Sequence, residues 1–264
     1  MPKGYTKITI HMVFDMKLGT LARKARLCVD GHKVPGLPKE STYSSVPSRD
    51  SVRIFFLLAA LNVLEVLLVN IQNAYLSALL APGVKYYTVA KESNGFTADQ
   101  DGRPCIIVRA LYGLPIAGAY FRAYLTKHLR QLGYQPCKAD PDVHIREEVR
   151  KDGTRYWALL IAYADDILCC DMEPWKQLES IEKCFTFKDG TKEEPSLYLG
   201  ADIRKHQLPD GTMAWSMALS KYISKVIATV ELELGTERFG FKCLPKGVKT
   251  PITADYRQET DAME

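Results

Sequence analysis

Two adjacent carboxylates, Asp165 and Asp166, stand between two apolar runs of the sequence, residues 156–162 and 167–170. Apolar runs separated by a short polar turn predict a β-hairpin, so both carboxylates are expected at its tip. Carboxylate oxygens are the ligands that hard cations such as Mg²⁺ prefer. Two Mg²⁺ ions about 4 Å apart can activate a hydroxyl nucleophile and stabilise an in-line phosphoryl displacement. For an isolated Asp-Asp pair, a solvated turn is the simpler interpretation, because Asp is common in turns.

The elements around this pair must hold it in place. Residues 63–69 form an apolar run that is too short for a typical helix, which predicts a buried strand ending at Asn70. Helices are expected from near Asp50, with Ser48 or Ser51 as the cap, and at 74–80. The predicted order of strand, helix, hairpin, helix and hairpin places helices beside a mainly antiparallel sheet. This arrangement is typical of an α+β fold. The other predicted elements are strands at 5–14, 24–29 and 105–109, helices at 117–132, 174–185 and 220–234, and a second hairpin of 197–206 and 212–217.

Composition limits the function classes without selecting one. The net charge of +4 permits an anionic partner, yet a dedicated nucleic-acid module usually has a stronger basic bias. The seven cysteines form no Cys-x-x-Cys pair, so a zinc site is not expected. Reduced cysteines are typical of a reducing intracellular compartment, which is therefore the expected location. The N-terminus has no signal-peptide pattern, and no apolar run approaches the ~20 residues of a membrane span.

Several segments together resemble one family. Tyr163-Ala164-Asp165-Asp166 is similar to the Tyr-x-Asp-Asp box of reverse transcriptases, and further segments match boxes of Ty1/copia-type retrotransposon reverse transcriptases in the same order. The resemblance covers about residues 4–258, and the ordered combination is more specific than any single box. The further matching segments are Lys24-Ala25-Arg26-Leu27 with Gly31, residues 43–53, Asn70-Ile71-Gln72-Asn73-Ala74-Tyr75-Leu76, Leu111-Tyr112-Gly113-Leu114, Tyr198-Leu199-Gly200 and Thr250-Pro251-Ile252.

The resemblance implies a fold and an activity. The fold is that of a right-hand polymerase, with a fingers-like part at about 1–62, a palm-like part at about 63–258 and a frayed tail at 259–264. Its palm has a mainly antiparallel sheet flanked by helices. The activity is RNA-directed DNA polymerisation with two Mg²⁺ ions, with Mn²⁺ as an alternative. The implied partners are an RNA or DNA primer–template and deoxynucleoside triphosphates, and the implied location is intracellular and cytoplasmic, in a retrotransposon particle, with no membrane.

The resemblance also assigns roles residue by residue. The matches imply that Asp165 and Asp166 are the paired metal ligands and that Tyr75 is an aromatic gate against a 2′-hydroxyl. A core aromatic is the plainer interpretation of Tyr75, and the two are compatible. Cationic side chains suit the triphosphate because its oxygens accept charge-assisted hydrogen bonds. The remaining matches are Lys24 and Arg26 for the incoming nucleotide, and Tyr112, Gly113 and Tyr163 for support of template and primer.

Asn70 is the most consequential departure from the family pattern, which has aspartate at this position. Asparagine keeps an oxygen ligand but removes the charge, so weak metal binding and impaired polymerase activity are expected. Glu65 lies five residues earlier, about 16 Å along an extended strand, and is not expected to replace the missing carboxylate. Pro115 and Ile116 are a second departure, because the family has lysine and a polar residue there. The chain has no integrase, protease or ribonuclease H segment, which suggests a fragment or a decayed genomic copy.

Three hypotheses remain open at this point. The first is a reverse transcriptase, active or residual. The second is a catalytically dead relic that retains the fold and at most binds nucleic acid through a basic groove. The third is an unrelated phosphohydrolase or nucleotide cyclase that uses Asp165 and Asp166, although it leaves the ordered flanking boxes unexplained.

Overall fold

A computed structural model of the chain describes residues 3–17, 21–35 and 42–234. Two compact units are present: residues 1–195 with 204–215, and residues 196–203 with 216–264. The predicted frayed tail at 259–264 and the matching segment at 250–252 lie outside the described residues.

The described residues contain both strands and helices, which confirms the predicted α+β class. The strands are β1 (Thr6–Lys7), β2 (Ile10–Lys17), β3 (Ala22–Val29), β4 (Glu65–Asn70), β5 (Tyr86–Val89), β6 (Pro104–Ile107), β7 (Gln135–Pro136), β8 (Val143–Val149), β9 (Arg155–Tyr163), β10 (Asp166–Asp171), β11 (Leu197–Tyr198), β12 (Ala201–Gln207) and β13 (Met213–Ala218). The helices are α1 (Arg49–Leu61), α2 (Ala74–Ser77), α3 (Ala117–Gln131), α4 (Pro174–Glu182) and α5 (Ser220–Leu234).

The sheet that carries the acidic hairpin lies in the first unit. Its strand order is β4, β10, β9, β8, β7, and every neighbouring pair is antiparallel. β10 is therefore paired on both sides, and residues 167–170 of this strand are fully buried. Helices α1 and α4 both contact β10. This burial explains why β10 is a continuous apolar run rather than an alternating one.

Helix α1 begins where the sequence predicts. Ser48 is its N-cap, and the Ser48 side chain accepts a hydrogen bond from the Ser51 backbone N–H at 3.0 Å. That bond satisfies one of the donors that the first helical turn leaves without an internal partner. The buried residues of α1 follow helical spacing and form the face that packs inward. They are Val52, Phe55, Phe56 and Ala59.

Two smaller sheets complete the first unit. β2 and β3 form an antiparallel ribbon in which Ile10 pairs with Val29 and Lys17 pairs with Ala22. β5 lies between β1, to which it is parallel, and β6, to which it is antiparallel. The ribbon carries most of the residues that match the first family segment.

The predicted helix at 74–80 is too long, because α2 ends at Ser77. Ala78 is already extended, with φ −88° and ψ 130°. Its carbonyl accepts a hydrogen bond from the Ala110 N–H at 3.0 Å, and the Leu80 N–H donates to the Val108 carbonyl at 3.0 Å. Pairing with a distant segment thus takes the backbone groups that a longer helix would need.

Two other sequence predictions also need correction. Residues 197–206 are not one strand, because Leu199 and Gly200 both have positive φ, at 49° and 78°, and separate β11 from β12. Such a pair forms a tight two-residue turn. The helix predicted at 174–185 is too long, because α4 ends at Glu182.

The second unit contains β11, which pairs with the start of β12, and α5. α5 has the bounds predicted for it. Among the described residues, no helix combines the length and the apolar character that crossing a membrane requires.

Candidate active site

The acidic hairpin has the expected construction. β9 ends at Tyr163, β10 starts at Asp166, and these two residues pair across the hairpin. Only Ala164 and Asp165 form the turn, and Ala164 has φ 50°. The first central residue of such a two-residue turn is usually glycine when its φ is positive. An alanine held there carries backbone strain, which persists only where the flanking strands fix the turn.

Asn70 lies directly beside this hairpin. It is the register partner of Asp166 on the other side of β10, and its Nδ2 donates a hydrogen bond to Asp166 Oδ1 at 2.6 Å. The next residue, Ile71, donates its backbone N–H to the Asp165 carbonyl at 2.7 Å. The three strand-end positions that the family pattern aligns therefore meet at one sheet edge.

Burial and charge both act on Asp166. Asp166 is half-buried, and this burial is the largest influence raising its pKa; the neighbouring Asp165 charge raises it further. The Asn70 hydrogen bond and the positive charge of Lys188 act in the opposite direction. The net effect is a raised pKa. Burial and the neighbouring charge thus favour the protonated form of Asp166 relative to a free carboxyl group.

The donor set suits a hard cation in type but is short in charge. Asp165 is exposed and Asp166 half-buried, so both carboxylates are accessible. The third position supplies an amide whose nitrogen, not its oxygen, faces Asp166. No cluster of three or more acidic, histidine or cysteine side chains that could hold a metal occurs within the described residues. The residues fit Mg²⁺ as oxygen ligands, but with one carboxylate fewer than the family pattern provides.

Tyr75 and Tyr112 lie close to the carboxylates. Their ring centroids are 5.4 Å apart, and Tyr75 also contacts Phe121 at 6.0 Å. Burial raises the pKa of each phenol, and the charge of Asp165 is the next contribution in both cases. Both interpretations of Tyr75 therefore remain compatible, since its ring packs against aromatics at the edge of the acidic site.

Lys24 and Arg26 lie on the same side of β3, because alternate residues of a strand share a face. Arg26 is 3.7 Å from Asp15 across the ribbon, and its positive charge partly opposes the burial that raises the pKa of Tyr112. Lys24 is exposed and lies two residues before Arg26 in β3. The structure thus links Arg26 electrostatically to the Tyr112 side of the site, while Lys24 has no such link among the described residues.

Two glycines of the matching segments, Gly31 and Gly113, lie against each other's backbone neighbours. The Val29 N–H donates to the Tyr112 carbonyl at 2.7 Å, which joins β3 to the turn at 111–114. A Cβ on Gly31 would lie 2.2 Å from the Gly113 carbonyl oxygen, and a Cβ on Gly113 would lie 2.2 Å from the Val29 oxygen. Gly113 also has φ 80°. Neither position accepts a side chain, so these glycines allow the β2–β3 ribbon to lie close to the turn at 111–114.

Sequence reasoning missed two features near the site. Lys188 acts on the charge of Asp166, but nothing in its local pattern distinguishes it from other lysines. Arg122, whose side chain is partly exposed, forms an ion pair with the buried Asp142 beside Tyr163, and their separation of 20 residues gives no local signal.

Adjacent strand ends bring two aspartates and a third polar side chain together, and carboxylates grouped in this way suit a hard cation. The family described as reverse transcriptase (RNA-dependent DNA polymerase) matches residues 1–240, and the chain belongs to this family. This result confirms the resemblance to Ty1/copia-type retrotransposon reverse transcriptases. It also leaves the hypothesis of an unrelated phosphohydrolase or cyclase without support.

Two similar proteins are plant transposon polyproteins. One is the retrovirus-related Pol polyprotein from transposon TNT 1-94 of Nicotiana tabacum, 26% identical over 262 residues, which cover 96% of this chain and 18% of that protein. The other is the retrovirus-related Pol polyprotein from transposon RE2 of Arabidopsis thaliana, 25% identical over 219 residues, which cover 80% of this chain and 14% of that protein. The chain thus spans less than a fifth of the length of either relative.

Proposed function

We propose that this chain is an RNA-directed DNA polymerase domain of a copia-type retrotransposon whose nucleotidyl transfer is impaired by Asn70. The observation that carries the proposal is the 2.6 Å hydrogen bond from Asn70 Nδ2 to Asp166 Oδ1. It joins the position that departs from the family pattern to one of the two expected metal ligands. The substrates would be a primer–template and deoxynucleoside triphosphates.

Each site residue has a role in this proposal. Asp165 and Asp166 would hold Mg²⁺, which when bound supplies activation of the 3′-hydroxyl and stabilisation of the displaced phosphate charge. Arg26 and Lys24 would bind the triphosphate, and Tyr75 would exclude a 2′-hydroxyl. Support of primer and template would come from Tyr112, Gly113 and Tyr163. The proposed fingers-like and palm-like parts are about residues 1–62 and 63–258.

The impairment has two physical causes. The first is charge: a carboxylate and a divalent ion about 4 Å apart interact by roughly 8 kcal/mol at an effective dielectric constant of about 20. The second is orientation, since the Asn70 amide points its nitrogen at an oxygen that a metal would need. Turning the amide over would bring two oxygens together at about hydrogen-bond distance. A net loss of a few kcal/mol lowers the rate by several powers of ten, at about 1.4 kcal/mol per decade.

A second candidate is a catalytically dead relic that retains the fold and binds nucleic acid. The exposed cations of the β2–β3 ribbon favour it, because phosphate binding needs no metal. In this candidate the Asn70–Asp166 hydrogen bond is a permanent replacement for the metal. The two candidates differ in whether any primer extension remains.

Primer extension on a poly(rA) template with an oligo(dT) primer tests the proposal. The wild-type chain should extend weakly in Mg²⁺ or Mn²⁺, and Asn70→Asp should raise the rate by several powers of ten. Asp165→Asn in the Asn70→Asp background is the control and should abolish extension. Equal rates for wild type and Asn70→Asp would refute the impairment. Binding without extension in either protein would favour the relic.

A further inference from the structure

A cavity of about 250 Å³ opens beside the acidic hairpin. Tyr163 and Ala164 of the hairpin line one side, and α3 and residues 44–46 line the other. Gly118 allows helix α3 and residues 44–46 to approach each other closely, because a Cβ on Gly118 would lie only 3.2 Å from the Ser44 Cβ. The cavity is therefore a built feature of the first unit, immediately next to the turn that carries Asp165.

An ion pair fixes one polar group in this cavity. Arg122 Nε donates to Asp142 Oδ1, and Asp142 is only 3% exposed. A buried carboxylate of this kind holds the guanidinium in one orientation. The two terminal nitrogens of Arg122 have no partner in the described part of the chain. They remain available as donors to a group inside the cavity.

Three hydroxyl groups share the lining with Arg122. They belong to Ser44, Ser45 and Thr126, and none of the three has a hydrogen-bond partner among residues 3–17, 21–35 and 42–234. A hydroxyl both donates and accepts, whereas a guanidinium only donates. The lining thus combines the two terminal nitrogens of Arg122 with three hydroxyl groups, so hydrogen-bond donors and acceptors are mixed.

The charges around the cavity disfavour an anion. Asp142 offsets the charge of Arg122, and Asp140 adds a further negative charge, held by the Ser48 N–H and the Ser51 hydroxyl. His144 also lines the cavity, and burial lowers its pKa to about 4, so it is neutral at pH 7. A phosphate would find no net positive charge here, whereas a neutral hydroxyl would find both donors and acceptors.

We propose that this cavity recognises a ribose 2′-hydroxyl of an RNA strand, with Arg122, Ser44, Ser45 and Thr126 as the contacts and Asp142 as the positioning residue for Arg122. The proposal rests on the proposed function, because that function places a primer–template against Tyr163. RNA presents its 2′-hydroxyls along the shallow minor groove, where protein side chains reach them. At about 250 Å³ the cavity is smaller than most pockets for whole ligands, which suits one sugar edge.

Fluorescence anisotropy of the full chain tests the proposal without catalysis. A labelled DNA primer is annealed to an RNA template or to a DNA template of the same sequence, and no nucleotide is added. Wild type should bind the RNA-templated duplex more tightly. Arg122→Lys and Thr126→Val should each reduce this preference roughly three- to tenfold, the loss expected for one or two hydrogen bonds.

Matched variants make the outcome specific. Arg53→Lys changes an exposed arginine of α1 that pairs with Asp50, and it should leave the preference unchanged. Thr126→Val preserves shape, so it remains informative if Arg122→Lys folds poorly by circular dichroism. Single 2′-deoxy substitutions along the RNA template should abolish the preference at one or two positions near the primer terminus.

The results that overturn the proposal are distinct from those that overturn the proposed function. Equal losses on both templates would mean a contact to phosphate or base rather than to the 2′-hydroxyl. Unchanged binding in both variants would mean that the cavity makes no contact with the strand. A wild-type chain that binds neither duplex would instead remove the proposed function, and this inference with it.

Discussion

Strand β10 begins and ends with aspartate, and its two ends behave differently. Asp166 pairs in register with Asn70, and Asp171 pairs with Glu65, at opposite ends of the same antiparallel pair. Asp166 is half-buried, whereas Asp171 is only 2% exposed. Both residues are aspartates at an end of the same strand, so the difference in their burial and hydrogen bonding must come from the groups that contact each of them.

The partners of Asp171 are those of a structural carboxylate. Asp171 Oδ1 accepts hydrogen bonds from the Tyr156 hydroxyl at 2.8 Å and from the Glu173 N–H at 3.2 Å. Burial, followed by this bond, raises the pKa of Tyr156, which keeps the phenol a donor. Asp166 has a side-chain amide as its hydrogen-bond partner and a second carboxylate beside it. At one end two protein donors satisfy Asp171 Oδ1, while the buried Oδ2 has no hydrogen-bond partner among the described residues. At the other end an amide and a second carboxylate face Asp166.

Glu65 shows why a nearby carboxylate does not repair the site. It is exposed and lies opposite Asp171, at the far end of β4 from Asn70. A strand separates its two ends by about 3.3 Å per residue, so Glu65 cannot reach a metal held by Asp165 and Asp166. Glu65 therefore cannot take the place of a carboxylate at position 70.

The largest expected effect is on metal binding at the Asn70 end. Asn70→Asp restores the third carboxylate and should tighten Mg²⁺ binding at least about a hundredfold, because a net gain of a few kcal/mol corresponds to two or more decades. Isothermal titration calorimetry with Mg²⁺ measures this directly. Glu65→Gln removes a carboxylate from the opposite end of the same strand and should leave binding unchanged. Weaker binding in Glu65→Gln would break the contrast between the two ends.

A smaller effect is expected on stability at the Asp171 end. Tyr156→Phe leaves a buried carboxylate short of one donor and should lower the free energy of unfolding by about 1–3 kcal/mol. Urea denaturation measures the change. Asp166→Asn is the counterpart at the other end: it should abolish Mg²⁺ binding with little loss of stability. Two variants with equal stability losses would show that Asp166 is structural as well.

The sequence was sufficient for the parts of the fold that local rules govern. Ser48 caps α1 as its side-chain type predicts, and the apolar run before Asn70 forms a strand that ends there. The family resemblance implied that position 70 belongs to the same site as the acidic hairpin, and Asn70 is a register partner of Asp166.

Long-range contacts account for what the sequence did not reveal. Helix α2 stops early because Ala78 and Leu80 pair with residues about 30 positions away. The distinction between Asp166 and Asp171 depends on Tyr156 and Asn70, which come from two different neighbouring strands. The Arg122–Asp142 pair joins a helix to a segment beside a strand. No spacing rule within one element predicts contacts of this kind.

The smallest expected effect is a pH dependence of stability at the Asp166 end. Because the pKa of Asp166 is raised in the folded chain, the folded state holds this proton more tightly than the unfolded state. Without metal, the resulting stabilisation is present below the ordinary Asp pKa and is lost as pH rises through the raised value. Thermal unfolding followed from about pH 3 to pH 7 should show this decline.

Two variants should move this dependence in different ways. Asp166→Asn removes the titrating group and should flatten its contribution. Asn70→Ala removes a hydrogen bond that favours the ionised form, so the pKa of Asp166 should rise further and the decline should shift to higher pH. A shift to lower pH in Asn70→Ala would show that Asn70 does not stabilise the ionised Asp166 carboxylate. Another group would then have to stabilise that negative charge, and Lys188 is the first to test.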